Sequence, residues 1–206
     1  MQNSFLKMLQ GYQQFRKKYA MGDNSIMQSL AHHGQQPQSM IISCCDSRVD
    51  PALLLQCDPG DLFVVRNVAN IIPPYEKDEA HHGTSAALEF GICFLQVKHL
   101  ILLAHSQCGG IQMLLDQKGN QTNDFISNWV SLVKSSDTQN CNADHYAKLA
   151  LNQSLQNCLS FPWIKQKLTE KKLKIHLWFF DVRHGEIFTW SEATQSYQSL
   201  ESIVLD

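Results

Sequence analysis

A chain of 206 residues, 44% hydrophobic and 17% charged, is long enough to bury a substantial core and too apolar to stay disordered. Its 17 basic and 19 acidic residues leave a formal net charge of -2 with no basic stripe, which argues against nucleic acid as the main partner. No apolar run approaches the roughly 20 residues that a bilayer span requires, so no membrane partner is expected.

In chain order, Phe5, Leu6, Leu9, Tyr12 and Phe15 recur at helical spacing and predict an amphipathic helix over the first twenty residues. Such a helix either covers its own core or packs on a partner subunit. The segment Met1 to Met21 carries Lys7, Arg16, Lys17 and Lys18 and lacks the continuous apolar stretch of a secretory signal. Seven cysteines, an odd and scattered set, do not form a secreted disulfide framework. Together these features predict a reducing, cytoplasmic setting. His32, His33 and Gly34 lead into a polar Gln-Pro loop that ends at Ser39.

Met40 to Ser43 is short and apolar enough for a buried strand, and Leu62 to Val65 follows the turn Asp58-Pro59-Gly60 as a second. His99 to His105 and Ile175 to Phe180 supply two more, and Glu186 to Trp190 reads as an antiparallel hairpin partner after His184-Gly185. Helices are predicted over Ala86 to Val97, Ile111 to Leu115, Ala143 to Leu159 and Trp163 to Lys171. The polar stretch Asp116 to Asn142 receives no assignment. Strands alternating with helices predict an α/β fold with a mostly parallel sheet covered on both faces. With no repeat and no linker in view, residues 1–206 read as one domain, an arm over 1–38 and a core over 39–206.

Chemistry concentrates in Cys44-Cys45-Asp46-Ser47-Arg48 and His105-Ser106-Gln107-Cys108-Gly109. Ligand sites in parallel sheets lie beyond the carboxyl ends of the strands, which is where both runs fall. Cys44, His105 and Cys108 offer two thiolates and an imidazole, a three-ligand set for zinc that leaves one coordination position open, as a catalytic rather than a structural site does. Asp46 and Arg48 form either an ordinary ion pair or a carboxylate held ionised and oriented beside a metal. Gly109-Gly110 opens a helix whose first N–H groups suit an anion, which makes Gly109 a substrate-binding candidate. No G-x-G-x-x-G follows the first strand, so a dinucleotide site is not indicated. Cys57, Cys93, Cys141 and Cys158 read as small buried apolar residues, and Cys45 as the neighbour of a ligand. His32-His33 and His81-His82 read as loop residues, and His99 and His176 as hydrogen-bonded core histidines. The triplets at Asn120 and Asn152 match a glycosylation acceptor only by accident in a cytosolic chain.

Cys44-x-Asp46-x-Arg48 with His105-x-x-Cys108-Gly109 resembles the signature of the β-class carbonic anhydrases. The likeness continues through Asp58 to Asn70, Gly83 to Phe90 and Ile101 to Ile111. The resemblance implies one zinc per subunit on Cys44, His105 and Cys108, with Asp46 and Arg48 as the catalytic dyad. The implied reaction is reversible hydration of CO2 to bicarbonate and a proton by zinc-bound hydroxide. It further implies a substrate pocket of Phe63 and Phe90, the second commonly tyrosine in the family, and of Gln35 donating from across a subunit interface. Gln35 and Ile72-Pro73-Pro74-Tyr75 resemble members whose zinc site is open to water. Bicarbonate-regulated members carry tryptophan and tyrosine where this chain has Ile41 and Phe180, so that regulation is not expected. The implied fold is a four-stranded parallel core with an added antiparallel strand and N-terminal helices that embrace a second subunit, as a homodimer or dimer of dimers. Hydrolysis of carbon disulfide or carbonyl sulfide on the same scaffold is the nearest alternative, and a non-catalytic zinc-binding protein a more distant one.

Overall fold

The computed structural model describes residues 3–116, 125–133 and 142–202. The strands are β1 (Ser39–Cys44), β2 (Leu62–Asn67), β3 (His99–His105), β4 (Lys174–Asp181), β5 (Glu186–Ser191) and β6 (Ser196–Ser199). They form one sheet in the order β2-β1-β3-β4-β5-β6. The first four strands in that order run parallel, and β5 and β6 add antiparallel. The expected architecture therefore stands with one strand more. Ser196–Ser199 escaped notice because its sequence, Ser-Tyr-Gln-Ser, offers a single apolar residue; Tyr197 packs its ring against Trp190 with centroids 5.4 Å apart.

β1 and β3 lie at the centre of the parallel half, and all but the first residue of each is buried. Both faces are therefore covered, which is why Met40-Ile41-Ile42 and Leu100 to Leu103 are continuous apolar runs rather than alternating ones. The long helix α7 (Ala143–Ser160) covers one face, burying Tyr146, Ala147, Ala150, Leu151, Ser154 and Cys158 at helical spacing. It starts where the Asn142 side chain accepts the His145 N–H at 2.8 Å, the role of an N-cap. Its far half clamps the Ile72 to Tyr75 segment: Ser154 Oγ accepts the Ile72 N–H (3.2 Å) and Asn157 Nδ2 donates to the Ile72 carbonyl (2.7 Å). The triplet at Asn152 therefore lies within a helix. The triplet at Asn120 and Cys141 lie outside the described residues, with 117–124 and 134–141 of the unassigned polar stretch.

The remaining helices are α1 (Ser4–Phe15), α2 (Ile26–His33), α3 (Pro51–Leu54), α4 (Gly83–Glu89), α5 (Gly109–Leu115), α6 (Ile126–Val130) and α8 (Pro162–Thr169). The helix expected over Ala86 to Val97 begins earlier and ends in a wider π turn, Phe90–Phe94. Helix α2 was not expected, and His32 and His33 end it rather than lie in a loop. Cys57 and Cys93 are only half-buried, whereas Cys158 is fully enclosed. For α1 the structure does not bear out the first reading, cover of its own core. None of its residues is buried, and Phe5 (59% exposed), Met8 (63%) and Tyr12 (61%) find no cover in their own subunit. Among the described residues no helix is long and apolar enough to cross a membrane.

Helix α5 enters close against the turn after β2. A Cβ at Gly110 would lie 2.6 Å from Val68 Cγ1 and 3.1 Å from Ala69 Cβ, so only glycine lets the two backbones approach. Helix propensity favours alanine over glycine by about 1 kcal/mol, but overpacking against a stiff β-branched neighbour costs roughly 1–3 kcal/mol. Gly110→Ala is therefore expected to lower the urea midpoint. An unchanged midpoint would mean that the turn yields freely.

Candidate active site

The sheet order places β2 on one side of β1 and β3 on the other, so the connections leaving β1 and β3 diverge. The crevice at such a switch point is where parallel sheets bind ligands. Cys44 is the last residue of β1 and His105 the last of β3. Cys108 follows in a tight turn as the residue capping α5. The ligand atoms of these three residues all lie within 4.8 Å of one another, and all three side chains are buried.

The donor set fits zinc on two observations. Cys44 Sγ and Cys108 Sγ are 3.8 Å apart, far beyond the ~2.05 Å of a disulfide. It is also the edge expected of two sulfurs each about 2.3 Å from one tetrahedral zinc. His105 is fully buried, and its Nδ1 sits 2.8 Å from the Ser106 carbonyl, to which it donates. That bond fixes the tautomer and leaves Nε2 as a lone-pair donor for a metal; no polar partner satisfies this buried atom.

The sulfurs are tuned by their surroundings. Cys44 is lowered to about 4, first by the hydrogen bond from Cys108, against the opposing effect of burial, then by His105 and by the backbone N–H groups of Asp46 and Ala69. Cys108 is pushed well above the usual thiol range by the same hydrogen bond, by burial and by the charge on Cys44. The N–H groups of Gly110 and Ile111, at the start of α5, favour its thiolate. Those donors thus serve the sulfur, while Gly109 itself stands exposed.

Asp46 lies beside the cluster, its Oδ2 3.9 Å from His105 Nε2. Arg48 engages both carboxylate oxygens: Nε donates to Oδ1 at 2.9 Å and Nη2 to Oδ2 at 2.7 Å, with the Arg48 backbone N–H adding a third bond at 3.0 Å. This two-pronged contact holds the Asp46 carboxyl well below the ordinary carboxylate range, so it is anionic at neutral pH. Phe63 and Phe90 meet with ring centroids 5.8 Å apart on the β2 side, and Phe90 stacks in turn on Phe94. Gln35 sits exposed in the loop after α2.

The family model for carbonic anhydrase matches residues 39–187, and "Beta carbonic anhydrase 5, chloroplastic" of Arabidopsis thaliana is 37% identical over 183 residues. The chain belongs to the β-carbonic anhydrase family. The match to the plant protein covers 84% of this chain and 60% of that relative, so the chain spans less than two thirds of its length. The β-carbonic anhydrase CcaA superposes with a TM-score of 0.83 at 27% identity, covering 96% of this chain and all of the other. A tetrameric β-carbonic anhydrase from Sordaria macrospora superposes with a TM-score of 0.73 at 27% identity over 91% of this chain and 97% of its own.

Three further residues support the cluster in this member of the family. Arg66 donates to the Cys44 carbonyl (3.0 Å), the Asp46 carbonyl (2.8 Å) and Asp50 Oδ2 (2.8 Å), pinning the turn that carries the dyad. Gln107, at a positive φ of 56°, accepts from Arg48 Nη2 on its carbonyl at 3.2 Å. Asp144, in the first turn of α7, accepts the Gln107 N–H at 2.9 Å. Arg66 and Gln107 lie inside matched motifs, which is a signal of position but not of role; the contact with Asp144 is visible only in three dimensions.

The hydrogen bond between the two sulfurs lowers Cys44 and raises Cys108, so zinc uptake is expected to release about one proton rather than nearly two. Calorimetry of zinc binding near pH 7.5 in buffers of different ionisation enthalpy measures this number. Release of close to two protons would show that Cys44 carries its proton before the metal arrives.

Proposed function

We propose that this chain catalyses the reversible hydration of CO2 to bicarbonate and a proton with one zinc per subunit. The observation that carries the reading is a buried Cys44-His105-Cys108 cluster, unsatisfied at His105 Nε2, beside an aspartate locked by an arginine. Cys44, His105 and Cys108 would hold the ion. A zinc in such a three-ligand site lowers the pKa of water towards about 7 and so supplies a nucleophile at neutral pH.

The protein's own part is orientation. Asp46, kept anionic by Arg48, accepts a hydrogen bond from the attacking oxygen and turns its lone pair towards the carbon of CO2. With both carboxylate oxygens engaged by Arg48, Asp46 is restrained from swinging onto the metal, which supports an open site. An Asp46 oxygen bound to zinc in a crystal at neutral pH would overturn that reading. Arg48 in turn is steadied by the Gln107 carbonyl, and Gln107 by Asp144. Phe63 and Phe90 suit an uncharged, linear substrate, and Gly109 and a partner subunit's copy of Gln35 would complete the pocket.

Residues 1–206 are proposed to act as one domain, with the arm over 1–38 packing on a second copy of the chain as a homodimer or dimer of dimers. The uncovered apolar side of α1 supports this, as does the tetrameric assembly of the Sordaria macrospora relative. A reducing, cytoplasmic setting is proposed from the free thiols of Cys44, Cys45, Cys57, Cys93, Cys108 and Cys158.

Stopped-flow measurement with the zinc-loaded protein is expected to show CO2 hydration, and Asp46→Ala to lower kcat by about 10²-fold through lost orientation. Sulfide release from carbon disulfide or carbonyl sulfide outpacing CO2 hydration would reassign the substrate. Undiminished hydration in Asp46→Ala would refute the dyad. Asp144→Ala is expected to lower kcat/KM about tenfold at unchanged zinc content, whereas Asp144→Asn keeps an acceptor oxygen for Gln107 and stays within about twofold. Equal losses in both would show that the charge of Asp144, not its acceptor, is what matters.

A further inference from the structure

The opposite end of the sheet carries a second concentration of charge. A cavity of about 490 Å³ opens at the amino ends of β3 and β4. Seven residues of strand, or about 20 Å, separate it from the metal ligands. Lys98, Lys167, Lys171, Lys172 and Lys174 line it, and no carboxylate does. Lys172 pairs with Glu170 at 2.9 Å, and the charge of Glu170 also reaches Lys167. Lys98, Lys171 and Lys174 have no ion pair among the described residues. Five lysines thus border one hollow in a chain whose net charge is -2.

Three lysines in this group follow from their place at the end of α8, where cations complement the helix dipole. That account does not cover Lys98 and Lys174, which come from the starts of two strands and are brought side by side by the Lys174 N–H bonding to the Lys98 carbonyl at 2.9 Å. Nor does it cover the backbone of Lys171. The Lys172 N–H bonds to the Lys167 carbonyl and the Lys171 N–H to the Leu168 carbonyl. This is a Schellman ending, with Lys171 at the left-handed position that glycine usually takes; its φ is 55°. A strained position is thereby spent on one more charge. His99, which lines the pocket, shares a hydrogen bond of 3.0 Å with His176 behind it in the sheet. Burial, then His99 and Lys174, holds His176 below the usual imidazole range, so it lends polarity without a further charge.

We infer that this pocket binds a small molecule carrying two or more phosphate groups. Lysines act as compact point charges for phosphate oxygens. The volume lies in the range of about 300–1,000 Å³ that small-molecule sites occupy and exceeds what a phosphate alone would fill. Ile92 and Val97, core residues only 1% and 2% exposed, lie beneath the lining and leave little apolar surface, so the phosphate groups carry the recognition. Inorganic pyrophosphate tests the charge, and ADP tests the charge with an organic group attached.

The test is isothermal titration of the zinc-loaded full chain with inorganic pyrophosphate and with ADP at fixed ionic strength. Wild type is expected to bind one equivalent per subunit saturably. The double variant Lys171→Gly with Lys174→Gln is expected to bind about tenfold more weakly or worse, with its CO2 hydration unchanged. Glycine suits the left-handed backbone at 171, so this variant is expected to fold, and its melting temperature checks that. Absence of saturable binding for both probes would overturn the inference. So would affinity that survives the double substitution, since the anion would then be held elsewhere, as on the zinc. Neither outcome depends on the reaction proposed at the other end of the sheet.

Discussion

The parallel adjacency of β1 and β3 is the constraint on which the candidate site rests. Residues Ser39 to Ser43 pair in register with His99 to Leu103, and both strands are buried on both faces. Neither can slip without moving a full apolar set into water. Each strand ends on a residue of the Cys44-His105-Cys108 cluster, and the connections beyond them part in opposite directions. Cys44 and His105, with sixty residues of sequence between them, are therefore brought to one point by backbone pairing, before any side chain contributes. The side chains then refine a position that the sheet has already set.

Electrostatics around this point follows a chain of single contacts. Two sulfurs 3.8 Å apart cannot both carry full charge without a cation, and backbone N–H groups from two separate turns are aimed at them. Beside them Asp46 would add a third negative charge were it not answered by Arg48 in a two-pronged contact. The side chain of Arg48 is 43% exposed, so its Coulombic contribution to stability is modest. Its value is geometric: it fixes both oxygens of the carboxylate. Arg66 does the same for the backbone beneath, bridging the carbonyls of Cys44 and Asp46 to the Asp50 cap of α3. Arg48 and Arg66 thus brace the same turn from two sides.

The sequence exposed the parts of this design that obey simple patterns. Buried parallel strands are apolar runs, so β1, β3 and β4 could be read with nearly correct limits. Cys44, His105 and Cys108 stood out because polar ligands at strand ends break an apolar run. Helix α2 was obscured by its polar content, Gln28, Ser29 and two histidines, and β6 by having one apolar residue in four. Asp144 and Gln107 were illegible for a different reason. Their contact joins the start of one helix to a turn 37 residues away, and no local periodicity encodes such a meeting. The fate of α1 was open in the sequence because an amphipathic face states that it needs cover without stating whose.

Backbone strain shows how rigid the site must be. Ala69 and Asn70 adopt φ of 62° and 46°, and Gln107 adopts 56°, in each case without the freedom of glycine. Left-handed backbone costs an ordinary residue roughly 1–2 kcal/mol, so three such positions next to one site represent a substantial penalty. Specific bonds oppose it at each point. Asn67 spans the first turn, accepting the Ile71 N–H and donating to the Ile71 carbonyl at 2.9 Å each, and Trp129 Nε1 donates to the Val68 carbonyl at 2.8 Å. Asp144 does likewise for Gln107. A net hydrogen bond contributes only about 0.5–1.5 kcal/mol, so these bonds roughly offset the strain rather than exceed it. What the arrangement gains is direction. The left-handed turn at Ala69 points its N–H at Cys44 Sγ, and the one at Gln107 presents its carbonyl to Arg48. Relaxing either turn would relieve strain and misdirect the group. The site is thus held in a conformation that its local backbone disfavours, by partners on β2, α6 and α7.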